Sequence, residues 1–584
     1  GGGAAGDLYF TDAEASINGD DSNHVTTILE GDYNFNGDNI IANDSYAFQI
    51  DTNGDNSGDS GDINLYQSGT TTISASAAGT SAEMRLNTTS TDGNAGDVTI
   101  GTVDDTAQPN TFLQRVEILA TGATSNGTVT LNGDINVDRG GAGVNPIFVI
   151  AEGDIVLPTS ITIDTEQGDN QFGGYVRLGT NGSNTSSSGS ISASANNVIL
   201  TIDAQGYGDA GGNVALGVFD ADGGNYLNGL AINTNGTTDG NLYLNGNISL
   251  DHNGVGASSM TLTGGGDVIV SNNVTIDTEI GDTVGQDAGA VNFGASNIYA
   301  DAASFTLTID TDAAAGSTGG AVTFGLVDDN AGGNNFLQEL VVDAGTTAGT
   351  DGIVAISNDI YTDPGTGSGG ITIDGDIRLT AGGSYSFDTD DNDNGNAGDI
   401  NLAVTSGSVS ATAAGNTNLT LFSRGGLTGG DVQLGVFNNA GGGYINDFAV
   451  WSQGTTPGNT TLHGNISLDD SGAGDSGDFS IVGNGDVIIA NSIIIDTEQG
   501  NTAGVAGGSV DWNNSDVSPS AANYTLEINT ENLGAGSNGG NVSLGSVNNA
   551  NGNGYLDVLT IDMDGNNADG TLTFNRATAT LSVD

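Results

Sequence analysis

The run Gly266-Asp267-Val268-Ile269-Val270-Ser271-Asn272-Asn273-Val274-Thr275-Ile276-Asp277-Thr278-Glu279 joins the two phrases on which the rest of the chain is built. Its first half opens with Gly-Asp and alternates apolar residues at Val268 and Val270. Its second half alternates at Val274 and Ile276 and closes on Ile-Asp-Thr-Glu. Alternation with a period of two, broken by Gly, Asn and Asp, is what half-buried strands joined by tight turns require. No stretch of useful length shows helical spacing. The closing phrase returns at Ile50-Asp51-Thr52-Asn53, Ile163-Asp164-Thr165-Glu166 and Ile495-Asp496-Thr497-Glu498, and in a Phe form at Phe387-Asp388-Thr389-Asp390. The Asp positions step by 113, 113, 111 and 108. One further copy, Ile309-Asp310-Thr311-Asp312, falls off this stride. A second marker runs from Gly96-Asp97-Val98-Thr99-Ile100-Gly101 through Gly212, Gly320 and Gly430 to Gly540-Asn541-Val542-Ser543-Leu544-Gly545, in steps of 116, 108, 110 and 110. Two markers locked to one period make the chain a tandem array, with a unit of about 110 residues. The repeats fall at 1–95, 96–211, 212–319, 320–429 and 430–539, with a partial repeat at 540–584.

A unit of that length allows two architectures. One is a string of β-sandwich domains of about 100 residues each; the other is a continuous parallel β-solenoid whose sequence repeats every few coils. A shorter rhythm decides between them. Gly, one small or polar residue, then apolar-x-apolar restarts at Gly212, Gly240, Gly266, Gly289 and Gly320. These restarts come on average every ~27 residues, a period inside the period. A sandwich has no reason to restart one phrase four times per domain, whereas every coil of a solenoid must turn the same corner. The expected fold is all-β: one continuous right-handed parallel β-solenoid (β-helix) with about four coils in each repeat, right-handed by the general rule for parallel crossovers. The string of β-sandwich domains is the alternative.

Composition narrows the function. The 584 residues include 97 Gly, 72 acidic residues and 7 basic ones, for a formal charge of −65, with no Cys. All the basic residues are Arg, and the seven share no common place in the unit. Nucleic acid is excluded as a partner, because phosphates need basic contacts. Docking on anionic lipid is excluded on the same ground, and no apolar run approaches the length that membrane insertion needs. A strongly acidic, Lys-free surface suits a saline or calcium-rich exterior, so the expected location is extracellular, at the cell surface. The chain opens Gly1-Gly2-Gly3 without Met, as a processed product or an excised piece would.

The phrases Gly153-Asp154-Ile155-Val156-Leu157, Gly266-Asp267-Val268-Ile269-Val270 and Gly485-Asp486-Val487-Ile488-Ile489 resemble those of filamentous-haemagglutinin-like, or β-strand-repeat, bacterial surface proteins. The resemblance spans nearly all of the chain and implies a shaft segment of a long surface or secreted protein. A recognisable secretion domain of that family is missing at either end, so the family's secretion route is not implied.

The acidic turns are the best chemical candidates. Asp51, Asn53 and Asp55 present oxygen ligands at alternate positions, as calcium loops do. Asp388, Asp390, Asn392 and Asn394 are denser, and Asp390-x-Asn392-x-Asn394-Gly395 matches the first half of an EF-hand loop before failing at Asn401, where that loop needs Glu. These seven residues are the expected metal ligands, calcium is the one cofactor expected, and no catalytic residues are assigned. The competing explanation is that Asn, Asp and Gly stand in such turns because they tolerate left-handed backbone.

The function expected from sequence is a non-enzymatic structural protein of the bacterial cell exterior. It would be a rigid shaft or a filament or sheath subunit, active in adhesion or extracellular assembly, and self-associating end to end or laterally. The alternative is a carbohydrate- or host-surface-binding adhesin module. A polysaccharide-degrading β-helix enzyme is a lesser alternative, because catalysis needs one asymmetric site while the Asp phrases recur unit after unit.

Overall fold

A computed structural model describes residues 8–10, 24–28, 33–34, 39–42, 47–53, 58–66, 71–75, 82–104, 112–138, 148–166, 172–180, 189–222, 224–251, 258–281, 284–302, 304–329, 335–364, 369–390, 395–412, 417–469, 477–499, 503–512, 514–548, 554–575 and 581–583. Among them there are strands and turns but no helix. The chain forms two compact units, Gly1–Gly281 with Gly289–Ser296, and Asp282–Ala288 with Asn297–Asp584.

Alternation in sequence becomes alternation in burial. In Glu83–Asn87, Met84 and Leu86 point into the core, and Glu83, Arg85 and Asn87 point out. This strand pairs in parallel with Ala47–Asp51 on one side and Arg115–Leu119 on the other. The stack continues through Phe148–Glu152, Tyr175–Leu178, Val214–Leu216, Leu242–Leu244 and Val268–Val270. Between Glu83–Asn87 and Arg115–Leu119 lie two more strands, Val98–Ile100 and Thr102–Val103, each belonging to a parallel stack of its own. One turn is therefore three strands, and three parallel faces enclose one apolar core. The fold is a β-solenoid, and the parallel pairing rules out a string of antiparallel sandwiches.

The turn is longer than the short glycine rhythm implied. Val116, Val149, Val176, Val214, Leu242 and Val268 follow Met84 in register. The six turns from Met84 to Val268 thus average about 31 residues each, within the range of solenoid repeats. Inward residues stack on their counterparts one turn away. In the second unit Phe448 stacks on Phe479 in register, with ring centroids 5.0 Å apart, and Phe437 and Trp512 pack against this pair from other core positions, 4.6 Å from Phe448 and 5.5 Å from Phe479. Such pairs add to the stabilisation that burial alone provides.

The repeat and the turn do not coincide. The strands ending at Asp51, Asp164 and Asp277 stand fifth, sixteenth and twenty-seventh in chain order. The repeat in the first unit is thus eleven strands, or three and two-thirds turns rather than the four expected. In the first unit the phrases on this stride consequently fall on different faces. Within the first unit Ala47–Asp51 pairs with Glu83–Asn87, Ile161–Asp164 with Ile199–Asp203, and Val274–Asp277 with Ile248–Ser249, in three separate stacks. The second unit repeats the pattern with Thr306–Asp310, Gly383–Asp388 and Ile493–Asp496.

Each phrase opens a stepped ridge of corner loops. In the first ridge Thr52 closes on Gly61 across nine residues and Thr88 on Gly96 across eight. Gly127 then closes on Ala120, and at Gly153 the chain turns the corner on a single residue. The taper recurs after Thr311, through Ala344 and Gly352, to Gly375. Gly375 has φ +120°, and a Cβ there would sit 3.0 Å from the Gly352 carbonyl oxygen and 3.1 Å from the Ala344 methyl. The glycine that opens the apolar-x-apolar phrase has a different cause: a Cβ on Gly240 would strike the Gly212 carbonyl of the preceding turn. Gly375→Ala is expected to cost about 1–3 kcal/mol in urea unfolding, from forced left-handed backbone and contact with the neighbouring turn; a cost below a few tenths would show that the corner does not need glycine.

Candidate functional site

The Ile-Asp-Thr phrase is a corner device. The Asp Oδ1 accepts the backbone N–H two residues on, at Asn53 (3.0 Å), Glu166 (2.9 Å), Glu279 (3.0 Å), Asp390 (3.1 Å) and Glu498 (3.2 Å). This is an Asx turn. The Thr is buried and its hydroxyl donates to the glycine carbonyl where the chain re-enters a strand: Thr52 to Gly61 (2.6 Å), Thr278 to Gly289 (2.9 Å), Thr389 to Gly398 (2.8 Å) and Thr497 to Gly508 (2.8 Å). The off-stride copy makes the same pair of bonds, Asp312 N–H to Asp310 (3.3 Å) and Thr311 to Gly320 (3.0 Å), as the next step of a ridge.

Four of the seven expected calcium ligands take part in this corner device. Asp51 accepts from Asn53 N–H and, one turn on, from Asn87 Nδ2 at 3.1 Å. Asn53 is buried and donates its amide to Thr89 O at 3.3 Å. Asp388 holds Asp390 N–H, and Asp390 accepts Gly395 N–H at 3.0 Å. These four residues hold backbone at two separate corners. Asp55, Asn392 and Asn394 lie outside the described residues. The Gly-Asp phrase is also structural: Asp399 accepts the N–H of Asp431, Asp431 that of Asn459, and Asn459 that of Asp486, at 2.8, 2.8 and 2.9 Å.

Two acidic groupings escaped the sequence reading. Among the described residues, Glu531, Asp562 and Asp564 bring carboxylate oxygens within 4.8 Å of one another. Desolvation, followed by the Asp562 and Asp564 charges, pushes Glu531 above the usual carboxylate range. Calcium takes six to eight oxygens, so three carboxylates binding through one oxygen each would supply only part of its shell. The other grouping is a notch of about 220 Å³ at the foot of the third ridge, lined by Asp312, Asp343, Thr346, Asp374, Thr405 and Ser406. Asp343 and Asp374 are in register one turn apart. Asp374 accepts both the N–H and the hydroxyl of Thr405 at 3.0 Å. Register is the signal for both groupings, and it is visible only once the turn length is known.

The arginines also gain an order the sequence hid. Arg85, Arg115 and Arg177 share one face of the first unit, where Arg85 meets Glu83 at 3.0 Å and Glu117 at 3.4 Å, Arg115 meets Glu117 at 2.9 Å, and Arg177 pairs with Glu152. Burial pushes Glu152 above the usual range, against the opposing pull of Arg177. Arg424 is different: its guanidinium lies 4.6 Å from the centroid of the Phe422 ring. No protein-family model, curated protein or solved structure matches this chain.

Stacked acids make stability depend on pH. Burial pushes Asp496 above the usual carboxylate range, opposed by the hydrogen bond from Glu498 N–H and helped by the Glu498 and Glu527 charges. The folded chain therefore holds this proton more tightly than the unfolded chain. Its stabilising contribution is present in acid and falls as pH rises from the ordinary 3.8 through the raised folded value. Asn529 fills the same corner one turn on and accepts Glu531 N–H at 2.9 Å, so an amide fits. Asp496→Asn is expected to raise the melting temperature at pH 7, with the gain shrinking towards pH 3 in thermal unfolding followed by circular dichroism. A loss at pH 7 would contradict the assignment.

Proposed function

We propose that this chain is a non-enzymatic structural segment of a bacterial cell-exterior protein, a solenoid shaft or a filament or sheath subunit that self-associates end to end or side by side. The observation that carries this reading is the use of the recurring Asp and Thr side chains. At corner after corner they accept or donate hydrogen bonds to backbone, which stiffens the turn and gives the residues a task that recurs instead of one asymmetric site. Continuous parallel ladders within each unit resist bending for the same reason that stacked strands resist slipping: every displacement breaks several backbone bonds at once. The resemblance of the Gly-Asp phrases to haemagglutinin-type shafts agrees with an extracellular setting, and so does the charge of −65, which keeps such rods apart until salt or divalent cations screen them. Calcium enters this proposal as a screening ion along the acidic ridges.

Cryo-electron microscopy of the purified chain, in low salt and again with millimolar calcium, tests the reading. Rods with a ~4.8 Å axial spacing that lengthen or bundle in calcium are expected, together with no release of reducing ends from polygalacturonate. Dispersed particles under both conditions, or steady cleavage of the polymer, would remove the structural proposal.

A further inference from the structure

The taper of each ridge leaves a notch where the last loop is lost, and the notch of the fourth ridge differs from its acidic counterpart. It is a cleft of about 430 Å³ lined by Gln453, Pro457, Val482, Asn484 and Asn514, together with Gly454 and Gly483. That volume lies within the range of small-molecule sites, roughly 300–1,000 Å³. The lining carries amide side chains and no carboxylate.

Beside this cleft stands an aromatic shelf. Strands Thr417–Phe422 and Phe448–Ser452 pair in parallel, with Phe422 in register with Trp451. The inward residues Leu419, Leu421, Phe448 and Val450 are buried, so Phe422 and Trp451 project from the outer face, each part-exposed. Their ring centroids are 5.9 Å apart and the rings are tilted by 44°. The neighbouring outward column on the same strands is Thr420 and Ala449, in register, so the rings rise beside a low floor. Trp451 is in turn in register with Val482, which lines the cleft. The shelf and cleft are therefore contiguous, and Arg424 stacked over Phe422 brings a cation to their margin. The other tryptophan, Trp512, is fully buried in the core.

We propose that the Phe422–Trp451 shelf and the Gln453–Asn484 cleft form a binding site for a neutral glycan of pyranose units. A pyranose with equatorial hydroxyls has flat C–H faces and a rim of groups that both donate and accept. An aromatic surface suits the first, since it offers a large, rigid apolar contact. Amides and a guanidinium suit the second, because Asn and Gln both donate and accept and Arg presents five donors. An acidic glycan is disfavoured by a chain of formal charge −65. The site does not depend on the shaft proposal, since it would work equally on a shaft or on a protein that never assembles.

Isothermal calorimetry of the full chain with cellohexaose and with chitohexaose tests it, alongside intrinsic fluorescence, in which the buried Trp512 leaves Trp451 to report the ligand. Saturable binding to at least one of the two is expected. Trp451→Ala should weaken it at least tenfold and Asn484→Ala several-fold, with circular dichroism and melting temperature unchanged. Should Trp451→Ala fail to fold, Arg424→Gln and Asn484→Ala carry the test: a loss of threefold or more in either supports the site, and a loss in neither overturns it. No saturable binding to either glycan, unchanged affinity in Trp451→Ala, or binding confined to polygalacturonate overturns it outright.

Discussion

In-register parallel stacking places every residue above its counterpart one turn away, at a strand spacing of ~4.8 Å. Apolar residues under this constraint become continuous columns, such as the run from Met84 through Val116, Val149, Val176, Val214 and Leu242 to Val268. Glycines become necessary wherever two backbones cross closely, as at Gly212 and Gly240. Acids become neighbours of acids. That last outcome is unfavourable by Coulomb repulsion, about 1 kcal/mol for a pair 4 Å apart even in water. Two local features reduce it. Many carboxylates accept a backbone N–H, which favours the charged form where it sits, and Asn interrupts the acids, as at Asn459 between Asp431 and Asp486.

The corner chemistry follows from the same geometry. Where a chain leaves one flat face for the next, its N–H and C=O groups fall out of the ladder and need partners. Asp supplies an acceptor and Thr a donor within two adjacent positions, so one dipeptide settles both needs. Loops of many lengths can then be tied to an identical base, which is how one corner carries nine residues after Thr52 and a single glycine at position 153.

How much of this could be read in the sequence divides along the same line. Strand content, parallel stacking and the importance of the Gly-Asp and Ile-Asp-Thr phrases were legible, because each is a local pattern repeated many times. The turn length was not. The count from Gly266 to Gly289 advances two strands, from Val268–Val270 to Val291–Asn292, and not the three that make a turn, so it shortened the mean. Asp51 and Asp388 were legible as oxygen-bearing turn residues, but their backbone partners at Asn53 and Asp390 were not, because a sequence displays oxygens without displaying the N–H groups beside them. Phe422 and Trp451, and equally Glu531 and Asp564, lie about one turn apart in sequence. They become neighbours only when the register is known.

A repeat of eleven strands wound on a three-strand turn behaves as a screw whose thread and whose sequence have different pitches. Gain or loss of a single repeat leaves the ladders intact, yet re-aims all that follows it in the same stack by a third of a revolution. Only a change by three repeats restores the original azimuth. Recombination between repeats that share these phrases would therefore alter which way a feature such as the Trp451 shelf faces without altering how it folds. The direction of presentation becomes a heritable variable separable from stability.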